Sequence, residues 1–210
     1  ISRLFVPCGL FWFNNESRRQ RIMSRQIQSA LNKTNGELAA MKAKGTLRDA
    51  YVAEMGSADR VRVYDIHGKN NFHLEEILEG IGIDNIGAIV IDMLDNVKFP
   101  TRKDLREDQK LEQLYQWSRE LGVKYNCPVF PTSQISNEGA GLMFPTENML
   151  KDSKTGKQGA CDGIIMLGSS DDPLLQNKRG ISMPKTKSKR EGVPDLREEI
   201  TFDADKGRYL

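Results

Sequence analysis

Three polar residues of this 210-residue chain stand where short apolar runs end, and their types suit phosphate chemistry. The run Ala88-Ile89-Val90-Ile91 closes on Asp92 and continues as Met93-Leu94-Asp95-Asn96. Ligands of a parallel sheet sit beyond the carboxyl ends of its strands, so Asp92 is placed to hold the water shell of a magnesium ion, in the form of a Walker B strand. A second run, Leu10-Phe11-Trp12-Phe13, ends in Asn14-Asn15-Glu16. Glu16 could orient an attacking water there, because phosphoryl transfer asks a protein mainly for positioning and charge stabilisation. A third, Cys127-Pro128-Val129-Phe130-Pro131-Thr132, leads into Ser133-Gln134-Ile135-Ser136, where the Gln134 amide could bond a terminal phosphate and report its loss to the next loop. Each motif also has a plainer reading. Asp92 could cap a turn, Glu16 and Ser17 could open a helix, and Gln134 could be an ordinary strand-end amide.

These residues need a sheet to hold them, and the pattern supplies one. Apolar runs rich in branched and aromatic residues alternate with stretches of helical spacing, the signature of an α/β fold with a doubly wound, mainly parallel sheet. Strands are expected at Leu10 to Phe13, Val61 to Ile66, Ala88 to Ile91, Pro128 to Pro131, Gly163 to Leu167 and Ile181 to Met183, with Glu199 to Phe202 pairing at an edge. The first five read as buried on both faces. Helices are expected over Ser17 to Asn32, Leu74 to Glu79 and Asp104 to Tyr125, and over Gly36 to Glu54 with a break at Gly45. No repeat or linker divides the chain, which reads as one domain. Ser136 to Gln158 and Asp171 to Arg179 read as long polar loops, of the kind that usually carry function or disorder.

Composition narrows the classes. With 38% hydrophobic and 29% charged residues and no apolar run long enough to span a bilayer, the sequence is that of a soluble globular domain. Its first residues lack the pattern of a secretory signal, so a cytoplasmic location is expected. Cys8, Cys127 and Cys161 are widely spaced and odd in number, and read as mostly buried free thiols. The net charge of +2 is too mild to imply a polyanionic partner. Its distribution says more, since Lys178, Arg179, Lys185, Lys187, Lys189 and Arg190 follow one another with no acidic residue between them, which would make a local positive field or an ordinary solvated face.

Taken in chain order, the strand ending in Asn-Asn-Glu, the strand ending in Asp92, the Ser-Gln strand, the Gly/Lys loop, the run Ala160-Cys161-Asp162-Gly163-Ile164-Ile165-Met166-Leu167 and the basic turn resemble the RecA-like motor domain of hexameric replicative helicases. The resemblance is to the DnaB-like and phage primase-helicase branch, and it runs from about Leu10 to Leu210. The stretch Ile200 to Leu210 resembles that family's last β-hairpin. It implies ATP and Mg2+ as cofactors, with Glu16 as catalytic base, Asp92 serving the magnesium ion and Gln134 sensing the γ-phosphate. It implies that Asn137 to Gln158 is the DNA-binding loop, with Asn137, Lys151, Lys154 and Lys157 on the strand and Gly139, Gly141 and Gly156 allowing close approach. The family's Lys-x-Arg element, which reaches the neighbouring subunit's nucleotide, falls on Met183-Pro184-Lys185-Thr186-Lys187-Ser188-Lys189-Arg190. Lys185 and Lys187 fit by strand position, and Arg190 fits if the turn is shifted. Implied partners are single-stranded DNA, further copies of the chain in a ring, normally a hexamer, and a primase and polymerase, in the host cytoplasm if the gene is a phage's.

One motif is missing. No G-x-x-x-x-G-K-[ST] occurs, although its amides and lysine would cradle the phosphates. Leu4-Phe5-Val6-Pro7-Cys8-Gly9 reads like the strand and first turn that enter such a loop, yet Leu10 starts the next strand at once. A segment absent between Gly9 and Leu10 is one explanation. The other is a degenerate ATPase that acts as a scaffold or nucleic-acid-binding subunit, and a RecA-like recombinase or KaiC-like regulator would share the same core.

Overall fold

The computed structural model describes residues 8–100, 105–150, 154–187 and 196–210, apart from the side chains of 154 and 155. They fall into two compact units, Ile1–Arg102 with Trp117–Thr132 and Asp205–Gly207, and Lys103–Gln116 with Ser133–Ala204 and Arg208–Leu210.

The first unit is built on a parallel sheet of β1 (Gly9–Asn14), β2 (Val61–Asp65), β3 (Ile86–Asp92) and β4 (Val129–Pro131), in the order β2-β1-β3-β4. β1 is a central strand because it is apolar on both sides. Phe11 and Phe13 are fully buried on one face and Leu10 and Trp12 half-buried on the other, and each buried ring contributes roughly 1.5–3 kcal/mol. A parallel sheet needs helical crossovers, which are α1 (Arg19–Leu31), α2 (Asn35–Ala43), α3 (Leu47–Met55), α4 (Asn71–Ile81) and α5 (Glu107–Tyr125), the last belonging to this unit from Trp117 onward. The expected break at Gly45 is present, with φ +74°. α2 starts on a capping box in which the Thr34 N–H donates to Glu37 Oε2 at 2.8 Å and the Glu37 N–H donates to Thr34 Oγ1 at 3.3 Å. α4 and α5 are clamped by polar contacts. Trp117 Nε1 donates to Glu75 at 2.8 Å, and Lys124 bridges Glu75 and Glu79 at 3.2 and 2.9 Å.

The second unit carries an antiparallel sheet of β5 (Gly163–Gly168), β6 (Lys178–Thr186), β7 (Leu196–Asp203) and β8 (Arg208–Tyr209) in that order. β7 and β8 form the expected C-terminal hairpin, with Phe202 opposite Tyr209. β5 departs from the sequence reading. Ile165 and Leu167 are 62% and 47% exposed, and Met166 between them is buried, because an antiparallel strand can cover one face alone. In the first sheet Phe130 of the three-residue β4 is half exposed too. The cysteines also differ from expectation, being half-buried free thiols. Burial pushes the Cys127 thiol up to about 11 and raises that of Cys161. Among the described residues no helix is long and apolar enough to cross a membrane.

The segment expected as a long loop after β4 is folded back on itself. Short 3-10 turns occupy Asn137–Gly139 and Glu147–Met149, Ile135 bridges Leu150, and the Ser136 N–H donates to the Met149 carbonyl at 2.6 Å. The helix α6 (Lys154–Ala160) follows. Two paired glycines make a seat for this segment. Gly168 of β5 lies opposite Gly180 of β6, and a Cβ on either would overlap the Met143 carbonyl oxygen. Gly180→Ala should therefore lower the melting temperature by several degrees, from overpacking of about 1–3 kcal/mol. Gly36→Ala, with nothing within 4 Å of the new methyl, serves as the control. Equal melting temperatures for the two variants would show that the seat is not needed.

Candidate functional site

Parallel pairing aligns the polar strand ends of the first unit. Asn14 of β1 is the register partner of both Asp65 of β2 and Asp92 of β3, so a row of acid, amide and acid crosses the carboxyl edge of the sheet. Beyond it the chain is fixed by two asparagines. Asn14 Nδ2 donates to Asp65 Oδ1 at 2.7 Å and to the Ser17 carbonyl, while its Oδ1 accepts the N–H groups of Glu16 and Ser17 at 3.3 and 3.1 Å. Asn15 crosses to β3. Its N–H donates to the Asp92 carbonyl at 2.8 Å, and its Oδ1 accepts the Met93 N–H at 2.7 Å across the cis Asp92–Met93 peptide. Glu16 projects from this clamp as an exposed carboxylate. Asp92 is half-buried, and its Oδ1 accepts the Thr132 hydroxyl at 2.7 Å. The structure thus brings Glu16 and Asp92 onto one edge.

Fit to a magnesium nucleotide can be judged from these donors. Among the described residues no group of three or more His, Cys, Asp and Glu side chains could hold a metal ion. Magnesium keeps much of its water and is commonly held by one or two carboxylates plus substrate phosphates, so the Asp92 carboxylate fits an ion delivered with a nucleotide. No stretch of the sequence fits the cradle for the inner phosphates. Gly9, expected in the turn entering that cradle, is instead the first residue of β1, and the β1–β3 ladder slips by one residue between Gly9 and Leu10.

The remaining expected site residues belong to the second unit or lie outside the described residues. Gln134 is exposed directly after Ser133, and Asn137 is exposed at the start of its 3-10 turn. Lys154 is the first residue of α6, while Lys151 and Arg190 lie outside the described residues. Lys157 is 2% exposed, with its ammonium donating to Ser133 Oγ at 2.8 Å and lying 5.4 Å from the Tyr115 ring centroid. Lys185 donates to the Gln158 carbonyl, and Lys187 pairs with Asp162 at 2.5 Å. The described cations of the basic run are engaged within their own unit, since Lys178 also pairs with Glu199 at 3.3 Å and Arg179 lies over the Phe202 ring. Sequence reasoning passed over Asn15, Thr132, Ser133 and Asp162. For Asn15 a signal existed, because a second amide directly after a buried strand has its own hydrogen bonds to find.

No known protein family matches the sequence, and no curated protein does. The fold is nevertheless found in solved structures. One solved ATPase domain superposes with a TM-score of 0.73 at 15% identity, over 97% of this chain and 74% of that one. A DnaB-like replicative helicase, solved for its interactions with primase, gives 0.72 at 16% identity, and this chain spans half its length. A KaiC-like protein of the archaeon Pyrococcus horikoshii gives 0.56 at 12% identity, over 96% of this chain and 74% of its own. The RecA-like α/β fold seen in DnaB-like helicase ATPase domains is therefore the fold of this chain.

The Asn15 clamp is open to test. Asn15→Ala leaves the buried Met93 N–H without its acceptor, which costs roughly 1–3 kcal/mol of stability. Exchange of the Met93 amide, followed by NMR, should accelerate, and unchanged exchange would show that the bond does not hold the two strand ends together.

Proposed function

We propose that this chain is the motor domain of a replicative DNA helicase that hydrolyses ATP at the interfaces of a ring of copies, normally six, and moves along single-stranded DNA. The observation that carries the reading is the placement of Glu16 and Asp92 on the carboxyl edge of one parallel sheet, bridged by the Asn15 clamp, in a fold shared with DnaB-like ATPase domains. A bound magnesium nucleotide supplies the electrophilic phosphorus and the leaving group. Glu16 takes a proton from the attacking water, and its exposed position on a braced turn suits that task. Asp92 orients the water shell of the ion, and the Thr132 hydroxyl fixes the carboxylate rotamer. Gln134 responds to the terminal phosphate. Lys185, Lys187 and Arg190 are the cations that reach a neighbouring copy, which requires Lys187 to leave Asp162. Lys151, Lys154 and Asn137 are the contacts to the DNA strand. A primase and a polymerase are the expected partners, in the cytoplasm.

This mechanism needs a phosphate cradle, which we place in coding sequence between Gly9 and Leu10, where the ladder slips. In the full-length protein Glu16→Gln should keep ATP binding and slow hydrolysis by at least about a hundredfold, the scale of a lost general base. Asp92→Asn should weaken the magnesium dependence of nucleotide binding. Wild-type turnover from Glu16→Gln would remove Glu16 from the mechanism. If the gene joins Gly9 directly to Leu10, the absent cradle favours a non-hydrolysing scaffold, and ATP should fail to bind at all.

Strand binding is tested separately. Lys151→Ala with Lys154→Ala should lower the slope of log affinity against log salt for single-stranded DNA by up to roughly 0.7 for each phosphate no longer neutralised. An unchanged slope would mean that this segment does not track the backbone. Sequence preference should be slight, since phosphate contacts carry little base information.

A further inference from the structure

Lys157 occupies a position unlike that of a strand-contacting lysine. A buried ammonium forfeits its hydration and must be held by fixed partners. Its Nζ donates to Ser133 Oγ at 2.8 Å and faces the Tyr115 ring at 5.4 Å, within cation–π range. Both contacts lie inside the second unit. Ser133 is covalently joined to Gln134, the residue expected to sense the terminal phosphate. On the other side of Lys157, Gln158 accepts Lys185 on its carbonyl and donates its amide to the Glu147 carbonyl at 3.3 Å. Two residues after α6, Asp162 pairs with Lys187 through its side chain and accepts the Lys187 N–H on its carbonyl at 2.8 Å. The seven-residue α6 and the turn after it therefore touch the strand end before Gln134, the Glu147 turn and the basic turn.

We propose that Lys157 is a positioning residue that fixes the Ser133–Gln134 segment after β4 to α6, so that a shift of Gln134 is passed through one short helix to the basic turn. It is not a contact to nucleic-acid phosphate. The inference rests on the motor reading for the use made of Gln134, but the linkage itself is a property of the unit. A hydroxyl bonded to a buried charge moves with it, whereas a surface lysine would leave the strand end free. The arrangement also explains how a lysine is accommodated at a buried position. Its stem spans the interior, and its head meets a hydroxyl and a ring face that suit a cation.

The experiment uses Lys157→Met, which keeps the stem, Lys157→Arg, which keeps the charge and the ring contact, and Ser133→Ala, which removes the partner oxygen at a half-buried position. Hydrogen exchange decides the linkage without any turnover. Lys157→Met and Ser133→Ala should each speed exchange both at Ile135–Ser136 and in α6, the double variant should add little beyond either, and Lys157→Arg should restore protection. Faster exchange confined to one segment, or additive effects, would overturn the linkage. If Lys157→Met does not fold, Ser133→Ala alone still carries this comparison. Single-strand binding should show the wild-type salt slope in Lys157→Met, and a slope lowered by about 0.7 would mean that Lys157 is a phosphate contact after all. In the full-length protein, DNA stimulation of ATP turnover should fall at least about tenfold in Lys157→Met and recover in Lys157→Arg, while equal stimulation in Lys157→Met and wild type would refute its role in coupling. A wild-type protein whose turnover ignores DNA would instead overturn the motor reading, and the exchange comparison would still decide the linkage.

Discussion

Parallel pairing makes every strand of a sheet end on the same edge, and the backbone groups freed there must find partners. In this chain the partners come from two adjacent asparagines. Asn14 closes its own turn and reaches Asp65, while Asn15 reaches the Asp92–Met93 backbone. The geometry of the edge depends on that division. Without Asn15 the ends of β1 and β3 would still be paired up to Asn14 and Asp92, but nothing described would hold the residue before Glu16 to the residue after Asp92. Two carboxylates can share one reacting centre only if their spacing is fixed, because small misplacements cost large factors in rate. Asn15 is 8% exposed and its Nδ2 finds no partner among the described residues, so its side chain leaves one donor unsatisfied while its Oδ1 accepts the Met93 N–H.

The second unit is governed by a similar economy of charge. Its cations were visible in the sequence as a run without acids, and that linear view overstated the free positive field. Glu199 lies across the ladder on β7, and Asp162 follows α6, so the opposing charges arrive from segments distant in sequence. A charge run describes a surface only when the strand opposite is known. The same holds for Lys157, whose neighbours in sequence, Gly156 and Gln158, give no hint that its side chain points inward to Ser133 and Tyr115.

What could be read in advance follows the physics of periodicity. The apolar runs that became β1 and β3 were legible because central parallel strands are largely apolar, the edge strands β2 and β4 from shorter branched and aromatic runs, and α5 from its repeat of buried side chains at three and four. β5 misled for the same reason. Ile164-Ile165-Met166-Leu167 has the composition of a doubly covered strand, but Ile165 and Leu167 stay exposed, and composition alone does not reveal which neighbour a strand will find. The strand-end residues Glu16 and Asp92 were legible as a pattern, whereas their bracing by Asn15 and Thr132 was not, since it depends on register. The Gly168–Gly180 seat was invisible, as two glycines 12 positions apart carry no sign that both face Met143.

The pairing of Lys187 with Asp162 bears on how a cation in this turn could serve a neighbouring copy. The two side chains are 46% and 74% exposed, and ion pairs in such solvent contribute little to stability, about 0–1 kcal/mol. A terminal phosphate carries more charge than a carboxylate and offers several acceptor oxygens, so exchanging Asp162 for phosphate would be favourable once the two surfaces meet. Lys185 is different. Its ammonium donates to a main-chain carbonyl of α6, so withdrawing it would leave that acceptor without this donor. Of the two lysines, Lys187 gives up only an exposed ion pair on changing partners, whereas Lys185 would first have to release its α6 carbonyl. The two lysines of the turn therefore differ in what each gives up before it can reach a second molecule, an exposed carboxylate for Lys187 and a main-chain carbonyl for Lys185.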